Sequence, residues 1–424
     1  MSVLALMIAI VVAIVLRVPI AFALLGPSLL YMWSHDMSLG FAMRAATGGV
    51  NSWPLLAVPL FILVGFLATR AGIAERMFAL VLALIGRRRG SLGYVNIGVS
   101  LGFSWMNGSA LADAAGVGSI EVPQMIKHGY PRKFAVGITG ASSVIGPMMP
   151  PSIPAVVYAS VALVSTSALF AASVVPALLI CLALAAYVFV WARHREDLRN
   201  QAFSWREVRR TSLAGVGALL TPIVILGGIL NGLFTPTEAA AVGAVYMLLL
   251  GFAYRTLRLR DLPRVFADTA VTTASIMIIL AASSLFGWIM AREQVPTEIA
   301  TAVLELTDSK VVFLLLVNVL LLFLGAIIEP TSALVIAVPV LLPVAMQLGV
   351  DPVHFGVIVV LNLMIGLLTP PIGGVLFVLS SVTKMPVSTV FSGVAPFLVP
   401  LGVILMIVTF VPDVVLWLPN QLGL

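Results

Sequence analysis

The 424-residue chain is 61% hydrophobic and 9% charged, with a mean hydropathy of +1.15. So much apolar surface cannot be hidden in one water-soluble core, which excludes a soluble globular protein and leaves an integral membrane protein. The net charge of +6 does not point to nucleic acid, because the basic residues lie between apolar segments, where membrane topology accounts for them.

The apolar runs have helical length, whereas barrel strands would be short and alternating. The predicted fold class is therefore all-α and polytopic. In chain order, residues 1–72 carry scaffold helices at 2–16, 19–34 and 52–69. No positive segment precedes the first of these, so it reads as a retained helix rather than a cleaved signal. An arm at 73–90 ends in Arg87, Arg88 and Arg89. The stretch 92–125 is broken by Asn107-Gly108-Ser109 and flanked on both sides by basic residues, the pattern of a re-entrant hairpin. A broken helix at 134–162 follows, interrupted by Gly146, Pro147 and Pro150-Pro151, and then a helix at 168–192. A basic cytoplasmic linker, 193–210, separates this first unit (1–192) from a second (211–424).

The second unit repeats the plan. Scaffold helices within 213–291 lead to an arm at 292–310 and a hairpin at 311–345 broken at Glu329-Pro330-Thr331. A broken helix at 353–383 carries Pro370-Pro371, and a helix at 388–418 ends the chain. A shift of 220 residues superposes the two Pro-Pro pairs, Pro123 on Pro343, Gly129 on Gly349 and Gly146 on Gly366. Walking the spans places all of the 23 Lys and Arg residues on the cytoplasmic side except Arg44, Arg292 and Lys310. The units are then inverted repeats, and paired broken segments in inverted repeats mark the binding site of a secondary transporter.

Non-helical backbone survives at membrane depth only inside protein or beside a wet cavity. Each Pro-Pro pair removes donors and frees carbonyl oxygens to face a cation, and nearby glycines permit close approach. A hard cation such as Na⁺ needs several oxygen ligands. Ser109, Ser142 and Ser143 supply them in one unit, and Thr331, Ser332, Asn362 and Thr369 in the other. Helices starting at the two tips direct partial positive charge at the midplane, which suits a carboxylate substrate. Hydroxyls in membrane helices also commonly bond a backbone carbonyl, so each alone has a structural reading as well.

Intramembrane carboxylates are functional suspects. Asp113 caps or braces the first tip, and Glu329 stands at the second; each is also a candidate ion ligand. Glu238, in Thr235-Pro236-Thr237-Glu238, fits a helix N-terminus, and Glu121 fits a pair with Lys127. Cys181 lies alone in an apolar run, and His35, His128, His194 and His354 are scattered. No transition-metal spacing, nucleotide-binding loop or nucleophile-base set appears, so no catalytic residue is assigned.

Several of these segments resemble one family. They are FSWMNGSALADAAGVGSIEVPQM (103–125), VIGPMMPPSIPAVVY (144–158), FTPTEAAAVGAVY (234–246), GAIIEPTSALVIAVPVLLP (325–343) and GLLTPPIGGVLF (366–377), with Val58-Pro59-Leu60-Phe61. The family is that of the DctM-like large membrane subunits of tripartite ATP-independent periplasmic (TRAP) transporters, and the resemblance runs along essentially the whole chain. It implies Na⁺-driven uptake of an organic anion, such as a C4-dicarboxylate or sugar acid, across a bacterial inner membrane by an elevator mechanism. It also implies a periplasmic substrate-binding protein and a separate small four-helix membrane subunit as partners, with no organic cofactor.

The family's ion sites carry over to Asn107, Gly108, Ser109 and the 140–147 break with Ser142, Ser143 and Gly146. In the second unit they carry over to Glu329, Thr331 and the 362–370 break with Asn362, Gly366 and Thr369. The anion is then expected against Ser109, Pro150, Ser152, Thr331, Ser332 and Pro370, with Asp113, Pro147, Pro151, Pro330 and Pro371 in support. A stand-alone Na⁺-coupled symporter of a related two-hairpin superfamily, carrying a dicarboxylate or an oxyanion, is the alternative.

Overall fold

The computed structural model describes residues 2–16, 18–86, 89–193, 195, 204–295, 297–298, 301 and 309–424. Arg17, Arg87, Arg88, His194, half of the basic linker and just over half of the second arm lie outside the described residues. Among those described, eight helices are long and apolar enough to cross a membrane. They become up to nine if the bent pair Arg132–Met148 and Ile153–Ala162 forms one span. The chain is thus a polytopic helical membrane protein.

Local sequence explains where the helices begin. Thr235 and Glu238 form a reciprocal capping box: the Glu238 amide donates to Thr235 Oγ1 (3.3 Å) and the Thr235 amide to Glu238 Oε2 (2.8 Å). Ser38, Ser165, Ser204 and Ser309 cap their helices in the same way, each hydroxyl accepting from an amide three residues on.

The structure differs from expectation at two places. A helix at Leu39–Val50 stands where the predicted path runs straight from 34 to 52. It is too short to span and rich in Gly, so apolar-run counting passes over it. Tertiary packing holds it against the long helix Leu262–Arg292: Gly49 leaves room only for Ser284, whose hydroxyl donates to the Ala45 carbonyl at 2.8 Å. The predicted last helix is also two, Val387–Phe410 and Pro412–Leu422, because Pro412 has no amide to continue the ladder.

Two helical hairpins and two broken helices make the centre. The first hairpin has a leading arm, Ser91–Asn107, and a returning arm, Ala110–Lys127. The second consists of Lys310–Ile327 and Pro330–Gln347. The first broken helix runs through Arg132–Ser142, a turn at Ile145–Met148 and Ile153–Ala162; the second joins Pro352–Gly366 to Gly374–Thr383. Residues 134–152 and 354–366 are buried without exception, so the first break and the approach to the second lie inside protein. The Pro150-Pro151 and Pro370-Pro371 bonds are both cis.

Backbone meets backbone where the second hairpin packs on its broken helix. A Cβ at Gly366 would stand 2.6 Å from Gly325 Cα, and one at Gly325 would stand 2.8 Å from the Leu363 carbonyl oxygen. Gly366→Val should therefore cost of order 1–3 kcal/mol in overpacking. Gly402→Val, at a position with nothing within 4 Å, should cost little. Thermal unfolding midpoints in detergent compare the two, and equal midpoints would contradict this close approach.

Candidate functional site

At the first hairpin tip, Gly108 takes a left-handed conformation (φ 55°, ψ 16°) that closes the leading arm. Ser109 is extended and caps the returning arm, its hydroxyl accepting from the Ala112 amide at 3.4 Å. Asn107 is the last residue of the leading arm. This tip rests on the first break: a Cβ at Gly108 would meet the Pro151 carbonyl oxygen at 2.6 Å, and Gly146 faces the Ser109 carbonyl. Behind it, Ser152 donates to the Pro147 carbonyl and accepts from the Ala155 amide (3.2 Å). One hydroxyl thus satisfies a carbonyl exposed by the break and caps the helix that follows.

The second tip uses a carboxylate for the same purpose. Glu329 caps Pro330–Gln347, accepting from the Ser332 amide (3.0 Å), the Ser332 hydroxyl (3.2 Å) and the Thr331 hydroxyl (2.9 Å). The leading arm ends one turn earlier, where the Ala326 carbonyl accepts from the amides of Ile372 (3.1 Å) and Gly373 (3.0 Å), just past Pro370-Pro371. Each tip is therefore tied to the break of its own unit.

Both tips open on one cavity of about 820 Å³. Its lining includes Gly108 and Ser109 from one hairpin, Glu329, Pro330, Thr331 and Ser332 from the other, and Pro147 from the first break. Two scaffold helices complete the wall, Ala57–Arg70 with Phe66 and Thr69, and Leu262–Arg292 with Thr272, Ser275 and Ile279. Apolar walls with a few convergent hydroxyls and one carboxylate form a ligand pocket rather than a packing defect.

The other predicted site residues are not part of this lining; Thr369 is half-buried and Pro370 and Pro371 are exposed, and the rest of the described ones are buried. Gly146, Pro150, Pro151 and Ser152 belong to the buried break beneath the first tip, and Gly366, Thr369, Pro370 and Pro371 to the second break. Ser143 donates to the Gly140 carbonyl (2.7 Å) and Thr369 to that of Ile365 (3.2 Å), the ordinary use of a hydroxyl in a membrane helix. Asn362 donates to Asn318 Oδ1 and to the Ile358 carbonyl, both at 2.8 Å, and Asn318 donates to Thr409 Oγ1 at 3.1 Å.

Ser142 and Asp113 meet in a separate buried group with Asn96, Ser100, Glu121 and Thr139. Here Glu121 does not pair with Lys127. Its carboxylate is buried and accepts from Asn96, while Lys127 is exposed at the end of the returning arm. Asn96 and Ser100, four residues apart in an apolar arm, and Glu121, eight beyond Asp113, were the signal available in the sequence. Thr69, Thr272 and Ser275 carried none, being single hydroxyls in long apolar helices.

The family of the tripartite ATP-independent periplasmic transporter DctM component matches residues 7–414. The chain belongs to this family. The sialic acid TRAP transporter large permease protein SiaM of Vibrio cholerae is 45% identical over 404 residues, covering 95% of each chain. The C4-dicarboxylate TRAP transporter large permease protein DctM of Pseudomonas aeruginosa is 39% identical over 405 residues, again 95% of each. Among solved structures, the Alcanivorax borkumensis YdaH transporter superposes with a TM-score of 0.61 over 91% of this chain and 89% of its own. At 14% identity that likeness concerns the fold alone.

In this DctM-family chain the grip of the first break on its tip depends on Gly108. Gly108→Ala places a side chain in the left-handed region, at about 1–2 kcal/mol, and against the Pro151 carbonyl. It should lower the unfolding midpoint and increase labelling of Ser109→Cys by a water-soluble maleimide, with little background from buried Cys181. Equal labelling with and without the Gly108→Ala change would show that the contact does not hold the tip.

Proposed function

We propose that the chain is the large membrane subunit of a Na⁺-coupled importer of an organic anion, a sugar acid or a C4-dicarboxylate, in a bacterial inner membrane. A periplasmic binding protein delivers the anion, and a separate small membrane subunit braces the scaffold. Residues 1–192 and 211–424 act as inverted halves. The hairpins and broken helices move together past the scaffold, carrying the anion as an elevator does.

The observation that carries this reading is the single cavity bounded by both tips and walled by two scaffold helices. A site between a central unit and its surround can change sides if the unit slides. The names of the relatives support the substrate class, because sialic acid and C4-dicarboxylates are both carboxylates.

Charge supports the coupling ion. The ionisable residue in the described cavity lining is Glu329, an acidic side chain whose oxygens already accept three hydrogen bonds in capping a helix. An anion entering beside it is repelled unless positive charge enters too, and the two helix N-termini offer only partial charges. A sodium ion between tip and break supplies the missing charge. Its oxygens would come from Ser109 and the first tip's carbonyls on one side, and from Thr331, Glu329 and the second tip's carbonyls on the other. Ser142, Ser143 and Asn362 then serve as internal braces.

Reconstitution tests the whole reading. In vesicles holding the chain and its small subunit, an inward Na⁺ gradient should drive uptake only when the cognate binding protein is present. Robust uptake of free anion by this chain alone would favour the stand-alone symporter instead. Ser109→Ala and Thr331→Ala test the ion ligands. A contact to a charged group is worth about 1.5 kcal/mol, so each should raise the Na⁺ concentration for half-maximal uptake about tenfold. Unchanged Na⁺ activation in both would remove the tips from the ion sites.

A further inference from the structure

The cavity lining holds six hydroxyl side chains, and five of them have already spent their hydrogens. Thr69 donates to the Gly65 carbonyl at 2.9 Å, Thr272 to that of Asp268 at 2.8 Å and Ser275 to that of Val271 at 2.9 Å. Thr331 and Ser332 donate to Glu329, at 2.9 and 3.2 Å. A hydroxyl carries one hydrogen and two lone pairs, so what these five offer a ligand is acceptor oxygen. The sixth, Ser109, accepts from the Ala112 amide, and no bond among the described residues uses its hydrogen.

The two tips differ in the same respect. The returning arm Ala110–Lys127 begins with the amides of Ala110 and Leu111, which a helix start leaves without intrahelical partners. The arm Pro330–Gln347 begins with a proline, which has no amide hydrogen, and its Ser332 amide is taken by Glu329 at 3.0 Å. Donors are therefore concentrated at the first tip, and acceptors at the second tip and along the scaffold.

We propose that Thr69, Thr272 and Ser275 are specificity-determining residues. They form a rim that reads the O–H and N–H donors of the transported anion while its carboxylate sits at the first tip. This role rests on the transport reading above, which puts an organic anion in the cavity. Thr272 and Ser275 stand three residues apart on Leu262–Arg292 and so share a face, and Ala57–Arg70, which carries Thr69, packs against that helix. Phe66, Ile276 and Ile279 add apolar wall for a carbon skeleton.

The cargo that fits is an anion with one carboxylate and several hydroxyl or amide N–H groups, of the sugar-acid kind. A dicarboxylate fits poorly. Its second carboxylate brings only acceptors to a rim of acceptors, and no Lys, Arg or His stands among the described lining residues to receive it. It could be met only by turning a rim hydroxyl away from its helix carbonyl, a bond that Ser and Thr in membrane helices ordinarily keep. Size points the same way. A cavity of about 820 Å³ lies in the range that encloses a drug-sized ligand, and a four-carbon diacid resting on the first tip would leave most of that space empty. Selection is thereby made in the membrane chain itself, in addition to any made by the binding protein.

Protection from labelling tests the rim on the purified full chain, in nanodiscs and Na⁺ buffer. Ile279→Cys places a reporter thiol on the cavity wall for a water-soluble maleimide, and Cys181 is buried. Sialic acid and succinate are the two probes. Sialic acid should slow labelling at a concentration roughly tenfold or more below that of succinate, as two or more neutral hydrogen bonds would give. Thr69→Val, Thr272→Val and Ser275→Ala should each raise the half-protecting concentration of sialic acid about fivefold and leave that of succinate unchanged. Thr272→Ser keeps the hydroxyl and should be protected as the wild type is.

Three results would overturn the rim. They are protection by succinate at the concentration that sialic acid needs, an unchanged sialic acid requirement in all three hydroxyl-free variants, and a Thr272→Ser chain as weakly protected as Thr272→Val. The last would mark the effect as structural. Protection of the reporter chain by neither anion would remove the cavity as an anion site, and so overturn the transport reading together with the rim, an outcome distinct from the other three.

Discussion

Backbone amides and carbonyls away from water must find partners, and the centre of this molecule is arranged by that demand. A hairpin turning within the membrane leaves carbonyls and amides open at its tip, and so does a helix interrupted by prolines. Neither could stand alone. Here each hairpin tip is set against the break of its own unit, so that Gly108 lies on Pro151 and the Ala326 carbonyl collects two amides from beyond Pro371. Side-chain caps from Ser109, Ser152 and Glu329 take up much of the remainder.

The same demand explains where the cavity lies. The first break lies buried beneath its tip, whereas Pro370 and Pro371 of the second are exposed, and the capped helix starts of both hairpins line the cavity. Both starts face the same opening, and the long helices Ala57–Arg70 and Leu262–Arg292 close it from outside. Their apolar character lets them lie against lipid on one side and against the cavity on the other. Only a few hydroxyls on them, Thr69, Thr272 and Ser275, interrupt that surface.

Much of the architecture was legible because membrane helices advertise themselves by length and hydropathy, and hairpin tips by polar residues inside apolar runs. Asn107-Gly108-Ser109 and Glu329-Pro330-Thr331 stood out for that reason, and the structure puts residues of both at the cavity. Leu39–Val50 was not legible, since its packing on Ser284 comes from more than 200 residues away in the chain and leaves no local periodicity. At the breaks, Ser142, Ser143, Asn362 and Thr369 also donate hydrogen bonds to side chains and backbone carbonyls, and partners such as Asn96 and Asn318 are visible only in three dimensions. Glu121 was misassigned for a related reason: Lys127 is close in sequence, but a helix turns it to another face and into solvent.

The two units solve one packing problem with different charge. In the second, amide meets amide along Asn318 and Asn362, and the line holds without an ionisable group. In the first, hydroxyls and an amide lead to the buried carboxyl of Asp113. The second unit places its carboxylate at the cavity instead, on Glu329, where it caps a helix and stands beside any bound ligand. The hairpins thus carry their acids at two different depths, one open to ions in the cavity and one sealed behind the tip. One backbone plan thus supports two hairpins whose acids meet different surroundings, one at the cavity and one inside the packing.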